Sequence, residues 1–179
     1  MESAAHLQAA CRVLLPGYAT AQREQERWAV LTRACLMRRP VDRDGEPAPL
    51  TAERFDAFAL RLLLEPEAEL GSLLIGGVEH ASDMLCALWL CRRSGLFLPA
   101  STARGSAGSR SRLGLVPSFK PASLSHAANT LATLYANAAY KGHLAARGNS
   151  QQVMLDAAHV DVHERLARQA RSWGVEFSV

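Results

Sequence analysis

Proline and glycine cut this chain into stretches that each have room for one helix or strand. The stops fall at Pro16-Gly17, Pro40, Pro66, Gly76-Gly77, Gly95 and Gly148-Asn149. Proline removes a backbone donor and glycine favours turns, so regular structure ends at such points. Between the stops, apolar residues recur at helical spacing. Glu2 to Leu15 carries Leu7, Ala10, Cys11 and Leu14 on one face, and Thr20 to Arg39 carries Trp28, Leu31 and Cys35. After a polar loop from Val41 to Pro49, Thr51 caps a third segment with Phe55, Phe58 and Leu62, closed by Pro66. Glu67 to Leu74 reads as a short helix breaking at Gly76-Gly77. Glu79 to Ser94 reads as a buried helix, with Arg92 and Arg93 in its last turn and Gly95 as its left-handed cap. Ser123 to Ala146 reads as one long helix, and Ser150 caps a last one with the stripe Leu155, Ala158, Val162, Leu166 and Trp173.

The predicted fold is therefore mainly α, a compact bundle of about six helices with a long basic Gly/Ser/Arg loop. Alanine and leucine dominate the apolar 49% of the chain, which favours helix before any pattern is read. The predicted organisation is an N-terminal part of about four helices over 1–98, a flexible basic loop over 99–122, and a two-helix part over 123–179 that packs on the first as one domain. A brief hairpin around Leu113–Val116 is the alternative for the end of the loop. No leader pattern opens the sequence, and the longest apolar run, Leu70 to Val78, is too short to span a bilayer. A cytoplasmic protein with no membrane partner is expected. The cysteines at 11, 35, 86 and 91 match neither a zinc knuckle nor a CxxC pair, so buried free thiols are expected.

Charge is unevenly placed. Residues 1–83 carry a net −4, residues 84–155 a net +8 with no Asp or Glu at all, and residues 156–179 a net −1. A field of one sign costs self-repulsion and is usually kept for an anionic partner. Arg104, Arg110 and Arg112 alternate with Gly and Ser, and Lys120 follows Phe119. Arginine grips phosphate through a two-pronged donor fork, and an exposed ring such as Phe119 can stack a base. Arg92, Arg93, Lys141, His143 and Arg147 widen the candidate nucleic-acid-binding patch. The alternatives are a solvated linker for the loop, dipole complementarity for the flanking cations, and a core plug for Phe119.

Other constellations point less far. Asp156, His159 and His163 share a helix face at i, i+3 and i+7, yet no second ligand pair matches them, so a structural histidine at a helix seam is expected and no metal. Glu79, His80, Ser82 and Asp83 cluster at a helix start; Ser82 and Asp83 are expected to be ordinary first-turn residues, with an anion nest or a piece of acid–base machinery as the alternatives. No P-loop, nucleophile elbow or dinucleotide fingerprint is present. The sequence thus predicts no enzyme, no catalytic residue and no cofactor. It predicts a helical subunit that holds nucleic acid by its phosphates, RNA favoured and DNA possible, beside copies of itself or other subunits of an assembly. In size, helix content and a basic belt the chain is similar to small helical subunits of ribonucleoprotein effector complexes and to coat proteins of helical RNA viruses, with no motif aligned to either. The other readings are an adaptor or effector whose basic loop docks on an acidic protein, and a small metal-dependent enzyme around His80/Asp83 or His159/His163.

Overall fold

In the computed structural model, residues 2–37, 71–100, 108–155 and 160–179 are described. The expectation of a helical bundle is overturned by a parallel sheet. Strands β1 (Glu2–Ser3), β2 (Ser72–Gly76), β5 (Gly114–Phe119) and β7 (Met154–Leu155) lie side by side in that order, all parallel. Among the described residues each strand adds on the same side of the last, without the reversal that marks the switch point of a doubly wound sheet.

The residues that misled the helical reading are those of buried parallel strands. Such strands are covered on both faces and read as continuous apolar runs, which periodicity alone cannot separate from helix. Leu73 pairs with Leu115 and Ile75 with Pro117 on the face that joins the core, while Ser72, Leu74 and Gly76 oppose Gly114, Val116 and Ser118 on the other. Pro117 is tolerated inside β5 for a specific reason. The Gly114 amide donates to the Gly71 carbonyl and the Ser118 carbonyl accepts from the Val78 amide, so the even-numbered residues face β2. The missing donor of Pro117 points to the other side, where β7 pairs only from Ser118 onward.

Helices α1 (Ala4–Leu14) and α2 (Glu24–Leu36) pack on α3 (Ala81–Arg93), which links β2 back toward β5. Helix α3 is buried from Ala81 through Arg92, because it lies between the other helices and the sheet. Leu85, Leu88 and Leu90 are fully enclosed there, and truncating one such leucine to alanine costs about 2–5 kcal/mol. Gly95, at φ +77°, ends the helix: its amide bonds the Arg92 carbonyl and the Leu96 amide bonds that of Cys91. An antiparallel pair, β3 (Phe97–Leu98) with β4 (Arg110–Ser111), then leads into β5, so part of the stretch expected as loop is strand.

The expected long helix over 123–146 is two helices, α4 (Leu124–Ala136) and α5 (Ala138–Ala145). Asn137 makes the break. Its side-chain oxygen accepts from the amides of Ala139 (3.0 Å) and Tyr140 (3.2 Å), and its amide group donates to Thr32 Oγ1 at 2.7 Å on α2. Beyond α5, the region expected to begin the last helix is strand instead: β6 (Ser150–Gln152), then β7. Helix α6 (Val160–Ser172) follows, and β8 (Glu176–Ser178) pairs parallel with β6. Gln151, buried, ties β6 to its neighbours: it accepts from Tyr140 Oη at 2.8 Å and donates to the Leu115 carbonyl at 2.9 Å.

The four cysteines are free and buried in the layer formed by α1, α2 and α3. Burial pushes the Cys91 thiol up to about 12 and raises those of Cys11 and Cys35 as well. Among the described residues, no helix is long and apolar enough to cross a membrane.

Candidate functional site

In sheets of parallel strands, ligands gather at the carboxyl ends, where loops leave the strands and helices begin. Here β2 ends at Gly76 and turns through Gly77, whose φ of +71° requires glycine, into Val78, Glu79, His80 and then α3. Strand β5 ends at Phe119 and passes through Lys120 and a 3-10 turn (Pro121–Ser123) into α4. The exposed Lys120 side chain lies across Gly77: a Cβ added there would stand 3.7 Å from Lys120 Cε and 3.8 Å from Nζ. Beside these turns opens a cavity of about 470 Å³ lined by Glu24, Glu79, His80, Ser123, His126 and Asn129, among others.

The start of α3 is already neutralised. Buried Asp83 accepts from the Glu79 and His80 amides at 2.9 Å each and from the Gln8 side chain. Glu24, from α2, accepts from the Ser82 amide at 3.0 Å and from Ser82 Oγ at 2.6 Å, and pairs with Arg27 at 3.3 Å. Two carboxylates thus occupy the positive end of this helix, so Ser82 and Asp83 stand as first-turn residues and the alternative of an anion nest is filled from within. What the carboxyl end offers a ligand is one lysine, two imidazoles, the Glu79 carboxylate, the Asn129 amide and hydroxyl groups. Among the described residues no group of three or more His, Cys, Asp or Glu is placed to hold a metal ion.

The residues singled out from sequence are divided between the two ends of the sheet. At the carboxyl end stand Glu79 and His80, and, of the described cations assigned to the nucleic-acid patch, Lys120 alone. Arg92 and Arg93 stand in the last turn of α3, and Arg93 lies 5.9 Å from the ring centre of Trp89. The Arg112 amide bonds the Leu96 carbonyl, and Arg110 pairs with Leu98, so these residues sit where β5 begins. Arg147 follows α5 at that same amino end. Lys141 is exposed, with Nζ 5.1 Å over the Trp173 ring. Phe119 is fully buried in the core, so neither face of its ring is open to a base. Arg104, Asp156 and His159 lie outside the described residues; His163 stacks at 5.7 Å with Phe177.

Sequence reasoning missed His126 and Glu24. They join the cavity because α4 and α2 meet the start of α3, a juxtaposition with no local signal. His143 is 2% exposed, and burial followed by the nearby Arg147 charge holds its imidazole down to about 4. The legible signal was the twice-repeated unit of apolar run, turn and helix, from Leu73 and from Leu113, which is the pattern of parallel β/α units.

The sequence pattern of the phosphoenolpyruvate carboxylase family matches residues 2–158. A curated phosphoenolpyruvate carboxylase of Xanthomonas euvesicatoria pv. vesicatoria (strain 85-10) is 30% identical over 177 residues, which is 98% of this chain and 18% of that protein. The chain therefore spans less than a fifth of the length of that relative. These matches overturn the expectation of a non-catalytic nucleic-acid-binding subunit of a ribonucleoprotein, and with it the RNA or DNA partner and the expectation of no enzyme. The absence of acids over 84–155 has a structural cause: much of that segment is core, including most of α3, β5 and the inner faces of α4 and α5, where carboxylates are excluded whatever the partner. By the extent of the match, the chain belongs to the phosphoenolpyruvate carboxylase family.

Proposed function

We propose that this chain forms part of a carboxylase-type active site that takes phosphoenolpyruvate at the carboxyl end of its parallel sheet. The observation that carries the reading is Lys120, held at the end of β5 across Gly77 at the end of β2. An enol phosphate with a carboxylate is an anion of several charges, and a lysine ammonium is a compact charge suited to it. Glycine at 77 leaves room for the ammonium and for a ligand to approach the backbone. His80 and His126 in the adjoining cavity are groups able to give or take a proton. A cytoplasmic setting is part of the proposal, supported by four free thiols in the core.

Calorimetric titration of the chain with phosphoenolpyruvate tests this. Saturable binding is expected, weakened about tenfold or more by Lys120→Ala, as losing one charge-assisted contact implies, and less by Lys120→Arg. Binding that Lys120→Ala leaves unchanged, or no binding at all, would sink the reading. Release of phosphate on adding hydrogencarbonate would extend it from binding to the reaction.

A further inference from the structure

The amino end of the sheet holds a second cavity, of about 180 Å³, lined by Ser72 and Gly114 at the starts of β2 and β5, His143 and Arg147 from α5 and its exit, and Ser150 on β6. No carboxylate lines it. Arg147 has no anionic partner among the described residues, and neither do the Ser72 and Ser150 hydroxyls have a hydrogen bond there. The carbonyls at the end of α5 do not oppose an anion strongly, because the amides of Ala146, Arg147, Gly148 and Asn149 take them up. Gly114 leaves room for the Ser72 hydroxyl: a Cβ there would stand 2.8 Å from Ser72 Oγ.

His143 gives the cavity its selectivity. The Ser111 hydroxyl donates to the Leu113 carbonyl at 3.1 Å, so its remaining contact, 2.9 Å to His143 Nδ1, is one in which the imidazole N–H donates. That leaves Nε2 as the unprotonated nitrogen, an acceptor. Phe97 and Tyr140 pack on the ring, and Arg147 is the charge beside it, so nothing near the imidazole favours a second proton. The residues lining the cavity thus supply one guanidinium, the Ser72 and Ser150 hydroxyls, and an imidazole whose Nε2 is an acceptor.

We propose that this cavity binds a hydrogen phosphate group, its anionic oxygens toward Arg147, Ser72 and Ser150 and its P–OH donating to His143 Nε2. Sulfate, of the same shape but without an O–H near neutral pH, would place an oxygen lone pair against that of Nε2. The site is separate from Lys120, which stands at the opposite end of the same sheet.

Titration of the full chain with inorganic phosphate and with sodium sulfate at pH 7.5, by calorimetry and by phosphorus NMR line width, tests the proposal. Saturable phosphate binding is expected, with sulfate at least about tenfold weaker, the scale of one hydrogen bond replaced by a repulsion. Arg147→Gln should abolish phosphate binding and Ser150→Ala weaken it, each with little change in melting temperature, while Lys120→Ala leaves it intact. Phosphate and sulfate binding alike, no saturable phosphate binding, or loss on Lys120→Ala but not on Arg147→Gln would each overturn the proposal.

Discussion

The two ends of the sheet are built from the same two strands and differ in almost every chemical respect. The carboxyl end is roomy, carries Glu24, Glu79 and Asp83, and has its helix start neutralised by carboxylates. The cavity at the amino end is narrow, has no carboxylate in its lining, and sets Arg147 beside an imidazole that is kept neutral. Sequence position and spatial position are thus only loosely linked. The segment over 84–155, with its net +8, delivers one lysine to the first end and most of its arginines to the second. A charge plotted along a chain says how much there is, and the strand order says where it goes.

The largest test of this contrast is by pH. His143 has a folded pKa near 4 against an ordinary value of 6.5. As the pH falls below 6.5, the unfolded chain binds a proton that the folded chain refuses until about pH 4. The stability contributed by the neutral, buried imidazole is therefore full above pH 6.5 and lost through that window, by about 3 kcal/mol. Urea unfolding at pH 7 and pH 4.5 should show His143→Gln losing markedly less stability than the parent protein; parallel losses would mean that the amino end does not exclude the proton.

A smaller effect is expected at the carboxyl end. Asp83→Ala leaves the Glu79 and His80 amides and the Gln8 amide without their acceptor, at a cost of about 2 kcal/mol. The loss should appear in the melting temperature at pH 7 and leave phosphate binding at the amino end untouched. The smallest effect is that of Lys120→Ala. Its side chain is exposed, so stability should shift by no more than about 0.5 kcal/mol while ligand binding at that end falls. A large drop in melting temperature would make Lys120 a structural brace.

How far the sequence could be read depended on how local each signal was. Helix α3 was legible almost to the residue, because its start, its all-round apolar character and Gly95 at its end are signals within one stretch. The strands were not. Leu73–Gly76 and Leu115–Phe119 are short apolar runs whose strand character comes from pairing with each other, a contact some forty residues apart in the chain. Asn137 hid the break between α4 and α5 because an asparagine in a helical pattern is unremarkable until Thr32, from another helix, holds its other end. The candidate site was read in fragments: Lys120, His80 and Glu79 were noticed, but as parts of unrelated features. Nothing in the spacing of His126 or Glu24 announces that three helices meet there.

The layer of buried thiols gives the molecule a clock. Cys11, Cys35, Cys86 and Cys91 sit on three helices, and none can be alkylated while those helices stay together. All four are buried in the folded molecule, so modification proceeds only through opening events. The order in which the four sulfurs disappear under a membrane-impermeant maleimide therefore records which helix parts from the sheet first, and the rates record how often.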